Sequence, residues 1–321
     1  MVNLPRGQEV SGLHGVLSLC QGAILRLVRL NGLSANNLKE PMSSLRIVAL
    51  TSLAMLAFAS NSLLCRVALK HTGIDAASFT SIRLISGAAM LFLVARLTRG
   101  PLAGSGNWRS ALALFAYAAG FSFAYVSLPA ATGALLLFGA VQSTMIGHAL
   151  WMGERMRKLQ LVGLVFAIGG LVTLLLPGLS APPLLGSLLM LGAGFAWGIY
   201  SLRGKGAGDP IQVTAGNFLR AAPIAAALSL LMVDRMALDS AGFGYAVLSG
   251  ALASGLGYAI WYTALPTLKA TSAATVQLSV PVIAALGGIL FLGESVTVRL
   301  VLASLAILGG IALVILEKAK P

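Results

Sequence analysis

GHALWMGERMRKLQLVGLVFAIGGLV (residues 147–172) and VPVIAALGGILFLGESVTVRLVLASLAILGGIAL (residues 280–313) carry one signature twice: a Gly-Glu pair, then an apolar run with a Gly-Gly pair inside it. Gly153-Glu154 precedes Gly293-Glu294 by 140 positions, and Gly169-Gly170 precedes Gly309-Gly310 by the same distance. Upstream the offset is 137. There Ala57-Phe58-Ala59 and Arg66 recur as Gly194-Phe195-Ala196 and Arg203, Arg83 meets Arg220, and Leu128-Pro129-Ala130 meets Leu265-Pro266-Thr267. Self-similarity at a fixed period is the first thing to establish in a chain, because it sets the architecture.

The solvent is set by composition. Of the 321 residues 58% are hydrophobic and only 10% charged, against about 25% charged in soluble domains. Runs near the roughly 20 apolar residues that span a bilayer core recur along the chain, and no alternating polarity suggests a barrel. Apolar runs bounded by charge, Gly or Pro predict ten helices, at about 47–65, 78–95, 109–127, 131–151, 159–176, 184–202, 211–233, 243–264, 271–292 and 297–316. The fold class is therefore an all-α integral membrane protein, with ten transmembrane helices as two five-helix repeats. Five is odd, so the second copy enters the membrane inverted. The charges agree: Arg155-Met156-Arg157-Lys158 in copy one corresponds to Ser295-Val296-Thr297-Val298 in copy two.

Lys and Arg then orient the bundle. Sixteen lie on the side of the N-terminus: Arg6, Arg26, Arg29, Lys39, Arg46, Arg96, Arg99, Arg109, Arg155, Arg157, Lys158, Arg203, Lys205, Lys269, Lys318 and Lys320. Four lie opposite, namely Arg66, Lys70, Arg235 and Arg299, while Arg83 and Arg220 fall inside spans. Both termini are expected in the cytoplasm of a cell with the bundle in its inner membrane. The net charge of +13 is spread over span ends rather than one face, so nucleic acid is not an expected partner. The expected division is an N-terminal extension 1–46, repeat one over 47–176, repeat two over 184–316 and a short tail 317–321. Within the extension, 16–30 is too short and too charged to span, and suits an interfacial helix or sequence upstream of a natural start at Met42.

Both copies resemble the EamA unit of the drug/metabolite transporter superfamily over about residues 47–316. The resemblance rests on FASNSLLCR (58–66) with Ile82-Arg83, on GFAWGIYSLR (194–203) with Phe218-Leu219-Arg220, and on the two closing stretches above. Copy one departs at Val141, where the family commonly has the proline kept here as Pro281. The resemblance implies ten helices around a central cavity and transport of amino acids, related metabolites or drugs, with export the expected direction. It also implies that Trp197, on the sixth helix, faces that cavity.

Ionisable groups inside spans are functional candidates by default. Arg83 and Arg220 each cost about 2.5–3.5 kcal/mol at a helix centre. The nine Leu, Ile, Phe and Val residues in the span of Arg220 return only about 3–5 kcal/mol. The favoured reading is that both arginines bind backbone carbonyls or helix ends, or snorkel to headgroups, and the alternative is that one of them draws an anionic group into the cavity. All nine acids sit in loops, tails or at helix ends, and Asn61 stands in the first helix where exporters of cationic drugs of the small multidrug type need a buried acid. Cationic substrates are therefore disfavoured. A proton relay would fall to His148, Glu154 or Glu294, although an interfacial His148 and helix-capping glutamates following glycine are the simpler expectations. Asn61, Gln142, Asn217 and Gln277 cannot face lipid cheaply, and with Trp197, Tyr200, Tyr258 and Tyr262 they are the expected lining of the substrate pathway. Trp108, Trp151 and Tyr245 suit interface anchors.

No Walker sequence, His/Cys metal cluster or nucleophile–base pair stands out, so neither cofactor nor metal nor enzymatic chemistry is expected. The expected partners are a small-molecule substrate and the bilayer, with a homodimer left open. The function expected is a secondary transporter or facilitator of a neutral, zwitterionic or anionic metabolite by alternating access. A lipid or sugar-lipid flippase on the same scaffold is the first alternative, and an integral-membrane lipid enzyme the second.

Overall fold

The structure, a computed structural model, describes residues 43–99, 105–153, 157–176, 181–204, 207–268 and 276–317. The 16–30 stretch, Met42 and Glu154 lie outside the described residues. Among the described residues ten helices follow one another: α1 Ser44–His71, α2 Ala76–Arg99, α3 Trp108–Tyr125, α4 Ala130–Trp151, α5 Lys158–Leu175, α6 Leu184–Gly204, α7 Pro210–Leu231, α8 Ser240–Thr267, α9 Ser279–Leu292 and α10 Val298–Glu317. Among the described residues eight are long and apolar enough to cross a membrane. The exceptions are α3, whose apolarity is diluted by Trp108, Arg109 and two tyrosines, and α9, which has 14 residues.

Polar residues outside the spans set the helix starts. Ser43, Asn107, Asp209 and Asp239 accept backbone N–H groups of the first turns of α1, α3, α7 and α8, and Asp75 does the same for Ala77 and Ser78 of α2. These caps satisfy donors that the helix itself leaves unpaired. Pro210 follows Asp209 at the first helical position of α7, where its missing N–H costs nothing. Copy one has Val141 where copy two has Pro281, and α4 accordingly runs unbroken for 22 residues.

Helix packing displays the inversion. Helices α5 and α10 cross antiparallel through small residues: a methyl on Gly163 would lie 2.5 Å from the Gly310 carbonyl oxygen, and one on Gly170 3.1 Å from that of Ala303. Exchanging the repeats at the 140-residue offset turns one contact into the other. Helices α2 and α7 cross likewise, with Ser81 bonded to the Ala225 carbonyl at 2.7 Å and Gly87 against Phe218. Close backbone approach through small residues is how helices associate in lipid. Outward faces are apolar, as Phe166, Leu290, Phe291 and Leu305 illustrate, whereas Asn61, Thr80, Arg83, Ser122, Asn217 and Ser254 are buried inside. Apolar outside and polar inside is the partition a bilayer imposes.

Helix α8 is α-helical to Val247, π-helical over Leu248–Leu256 and α-helical again from Gly257. π turns are uncommon and gather at functional sites.

Candidate functional site

Three helices of each repeat, α1–α3 and α6–α8, converge on one polar and aromatic layer. At its centre is Arg83 of α2, only 1% exposed. Its Nη2 donates to the Tyr117 hydroxyl at 3.0 Å and its Nε to Ser254 Oγ at 3.4 Å. The guanidinium lies 4.7 Å from the Phe121 ring centroid and 5.2 Å from that of Tyr117. Nη1 is buried and has no hydrogen-bond partner. Tyr117 also accepts from Asn61 Nδ2 at 3.4 Å, and Ser249 donates to Asn61 Oδ1 at 2.7 Å. One network thus joins α1, α2, α3 and the π segment of α8.

Aromatic rings wall the layer. Trp197 lies 4.7 Å from Tyr117, 5.3 Å from Tyr200 and 5.2 Å from Tyr258, centroid to centroid, and Tyr258 meets Phe58 and Phe218 edge-on. Offset and edge-on contacts of this kind stabilise beyond the area they bury.

The expected pathway residues divide here. Asn61, Trp197, Tyr200 and Tyr258 are brought together around Arg83. Asn217 meets the Tyr200 hydroxyl at 3.5 Å, but its Oδ1 accepts the Asn107 N–H, tying α7 to the start of α3. Gln142 is buried within α4, and Tyr262 and Gln277 are half-buried, the last just ahead of α9. Of these three, Tyr262 lies beside Tyr200 and Tyr258 at the edge of the layer. His148 is exposed in the last turn of α4, away from the layer.

Three expectations need correction. Backbone carbonyls hold Arg220, through Ser105 O at 2.8 Å and Gly216 O at 2.9 Å, but not its repeat mate Arg83, which takes hydroxyls and ring faces. Glu294 does not cap the helix that follows it. Gly293, at φ +61°, reverses the chain, so Glu294 reaches back to the Ala130 N–H of α4 at 2.8 Å and to Arg66 Nε at 3.2 Å. Arg66, expected as a loop charge, is a buried partner: it also donates to the Tyr125 and Val126 carbonyls, and its side chain and that of Glu294 are each 8% exposed. Gly153 shares the left-handed turn, at φ +88°, which gives the repeated Gly-Glu pair its physical reason.

A cavity of about 250 Å³ borders Glu294, lined also by Ser127, Thr132, Ser295 and Thr297. It lies at the end of the bundle poor in Lys and Arg, not at the central layer. Among the described residues no group of three His, Cys, Asp or Glu side chains converges.

Comparison with known proteins gives this architecture a family. The sequence model of the EamA-like transporter family matches residues 45–176 and 184–316. The chain belongs to that family. An uncharacterised Pseudomonas aeruginosa protein is 60% identical over 275 residues, 85% of this EamA-like chain and 96% of its own. The threonine/homoserine exporter RhtA of Salmonella typhimurium is 34% identical over 160 residues, which span 47% of this chain and 53% of the exporter. The Bacillus subtilis transporter YoaV is 25% identical over 251 residues, 73% of this chain and 85% of its own. One solved crystal structure, 19% identical, superposes with a TM-score of 0.61 over 87% of this chain and all of that one, which speaks to the fold. The chain is thus a multi-pass membrane transporter of the EamA-like family.

Phe121, Ser249, Ser254 and Arg66 are site residues that the sequence does not single out, and the pairing of Glu294 with Arg66 is not announced by it either. Repeat arithmetic offered one signal: Phe121 and Tyr258 are mates at the 137-residue offset, and so are Tyr117 and Ser254.

Proposed function

We propose that this EamA-like protein is a secondary carrier that exports a small amino-acid-like metabolite across the inner membrane by alternating access, with both termini cytoplasmic. The observation that carries the reading is the central layer, sealed from lipid and built from the same three helices of each inverted repeat. When two inverted halves exchange conformations, a site between them opens to opposite sides. The partial similarity to a threonine/homoserine exporter supports an amino-acid-like substrate and the outward direction.

Gates at the two ends follow from the same symmetry. Arg66 of repeat one pairs with Glu294 of repeat two at the Lys/Arg-poor end. Their mates are Arg203 and Glu154, at the opposite end. Among the described residues Arg203 donates to Ser110 Oγ and Asn107 Oδ1. In the exchanged state Arg203 takes Glu154 and Arg66 releases Glu294. Breaking one buried pair while forming another of the same kind keeps the two states within a few kcal/mol, which a carrier needs in order to cycle.

The test is counterflow in liposomes containing the purified protein, with radiolabelled threonine and a panel of amino acids, keto acids and lipids, with and without a pH gradient. Saturable exchange of amino acids is the expected result. Scrambling of labelled lipid without amino-acid exchange would replace the carrier by a flippase. Single cysteines at Arg157 and Thr297 should react with impermeant maleimide from opposite sides of the membrane; reaction from one side would end the inverted reading.

A further inference from the structure

We propose that Arg83 is the carboxylate-binding group of the transport site, and that the substrate class is small monocarboxylates held through its unpaired Nη1. The proposal deepens the carrier reading and rests on it.

The argument begins with charge. A guanidinium carries five N–H donors and stays ionised under all physiological conditions. Every described acid side chain is placed elsewhere. Asp75, Asp209 and Asp239 cap helices at the ends of spans, Asp234 lies in the exposed turn after α7, and Glu294 is held by Arg66. Arg83 therefore sits inside the bundle facing hydroxyls and rings, without a carboxylate among the described residues. A buried charge without a counterion is a costly arrangement, and one that an anionic ligand relieves.

The geometry is selective as well. Phe121 and Tyr117 lie beside the guanidinium, and Tyr117 and Ser254 hold Nη2 and Nε. Three-point support fixes its plane, and the edge bearing Nη1 is left to bond. A fixed guanidinium fork matches the two oxygens of a carboxylate, which is why Arg rather than Lys recognises planar anions. Trp197 lies against Tyr117 and Tyr258 against Trp197, and the two supply apolar area for the remainder of a small molecule. The same position in repeat two does not compete: Arg220 spends Nη1 on two backbone carbonyls. The site is thus single despite the duplicated sequence. No described carboxylate waits for an ammonium, so keto and hydroxy acids of similar size belong to the same class as amino acids.

Intrinsic tryptophan fluorescence of the purified protein reads occupancy without transport, because Trp197 stacks in the layer. Threonine, 2-ketobutyrate and butyrate should each give a saturable change, while threoninamide and 1-amino-2-propanol should give none up to about ten-fold higher concentration, the scale of one lost charge-assisted contact. In liposomes, Arg83→Gln should raise the threonine KM by about ten-fold or more with the protein still monodisperse, and Arg83→Lys, which keeps the charge but loses the fork, should fall between. Amide and acid binding alike, or a folded Arg83→Gln with an unaltered KM, overturns the proposal. Should Arg83→Gln fail to fold, the acid-against-amide comparison on the wild-type protein still decides. If carboxylates bind through Arg83 but nothing is carried, the carrier reading fails while this site stands; if amino acids are carried and Arg83→Gln is indifferent, the reverse holds.

Discussion

Arg83 and Arg220 occupy the same place in two copies of one motif, yet they have different occupations. Arg220 bonds the carbonyls of Ser105, just ahead of α3, and of Gly216 in its own helix. Arg83 faces the middle of the bundle, where the neighbouring groups are hydroxyls and aromatic faces, and one of its nitrogens is left over. A duplicated sequence therefore does not duplicate function. The copy whose needs are met by backbone becomes part of the scaffold, and the copy whose needs are not met is free to take a ligand. The same divergence separates Arg66, paired with Glu294, from Arg203, which bonds neutral side chains.

The comparison can be broken at several points. The largest effect is expected from Arg66→Ala, which strands Glu294 in a buried site and should lower stability by about 3–5 kcal/mol, read as the midpoint of thermal unfolding in detergent. Arg203→Ala should move that midpoint less, because Arg203 has no buried carboxylate partner among the described residues, and an equal shift would erase the distinction. The two inner arginines should then separate by measurement. Arg220→Gln gives up two carbonyl contacts of one half-buried nitrogen and should cost about 1.5–3 kcal/mol in all while leaving the KM unchanged. Arg83→Gln should be near neutral or stabilising, since an unpaired buried charge is removed, while its KM rises. Identical behaviour of the two variants would refute the division of labour.

A smaller loss is expected at the α5–α10 crossing. Gly163→Ala places a methyl against the Gly310 carbonyl and should cost about 1–3 kcal/mol as overpacking, whereas Gly169→Ala, with open space around it, should be silent in the same assay. The smallest effect is one of pH. Burial alone would raise Asp75, but the Ser78 hydroxyl and the N–H groups of Ser78, Ala237 and Ala77 outweigh it and hold the carboxyl below its usual 3.8. A folded value below the unfolded one means that the stabilisation is complete above about pH 4 and is lost as pH falls through the lowered value. The stability difference between wild type and Asp75→Asn should shrink on acidification in that window. The repeat mate of Asp75 is the uncharged Gln212, so Gln212→Glu should add a second acid-sensitive step, or the two ends are not equivalent positions.

Much of this was legible from the chain alone. Lipid forces apolar runs and end charges, so ten helices and an inverted repeat could be read from Gly153-Glu154, Gly293-Glu294 and the odd number of spans. The layer was only half legible. Asn61, Trp197 and Tyr258 stood out as large polar or aromatic groups inside spans, whereas Ser249 and Ser254 did not. Five residues apart, they fall on different faces at 3.6 residues per turn, and only the i→i+5 turns of the π segment stack them on one side. Arg66 was misread because its apolar run ends at Cys65, although α1 continues to His71. Its partner is 228 positions away, a pairing that no local pattern announces.

The glycine seam between α5 and α10 has a mechanical consequence. It lies outside the six helices that form the central layer, and it joins the halves at a place where each presents the same small residues to the other. In the carrier proposed above, such a joint would serve as a fulcrum, since the repeat symmetry relates its two crossing contacts. Bulk there is then expected to act at a distance, slowing transport while leaving the arginine and its rings untouched.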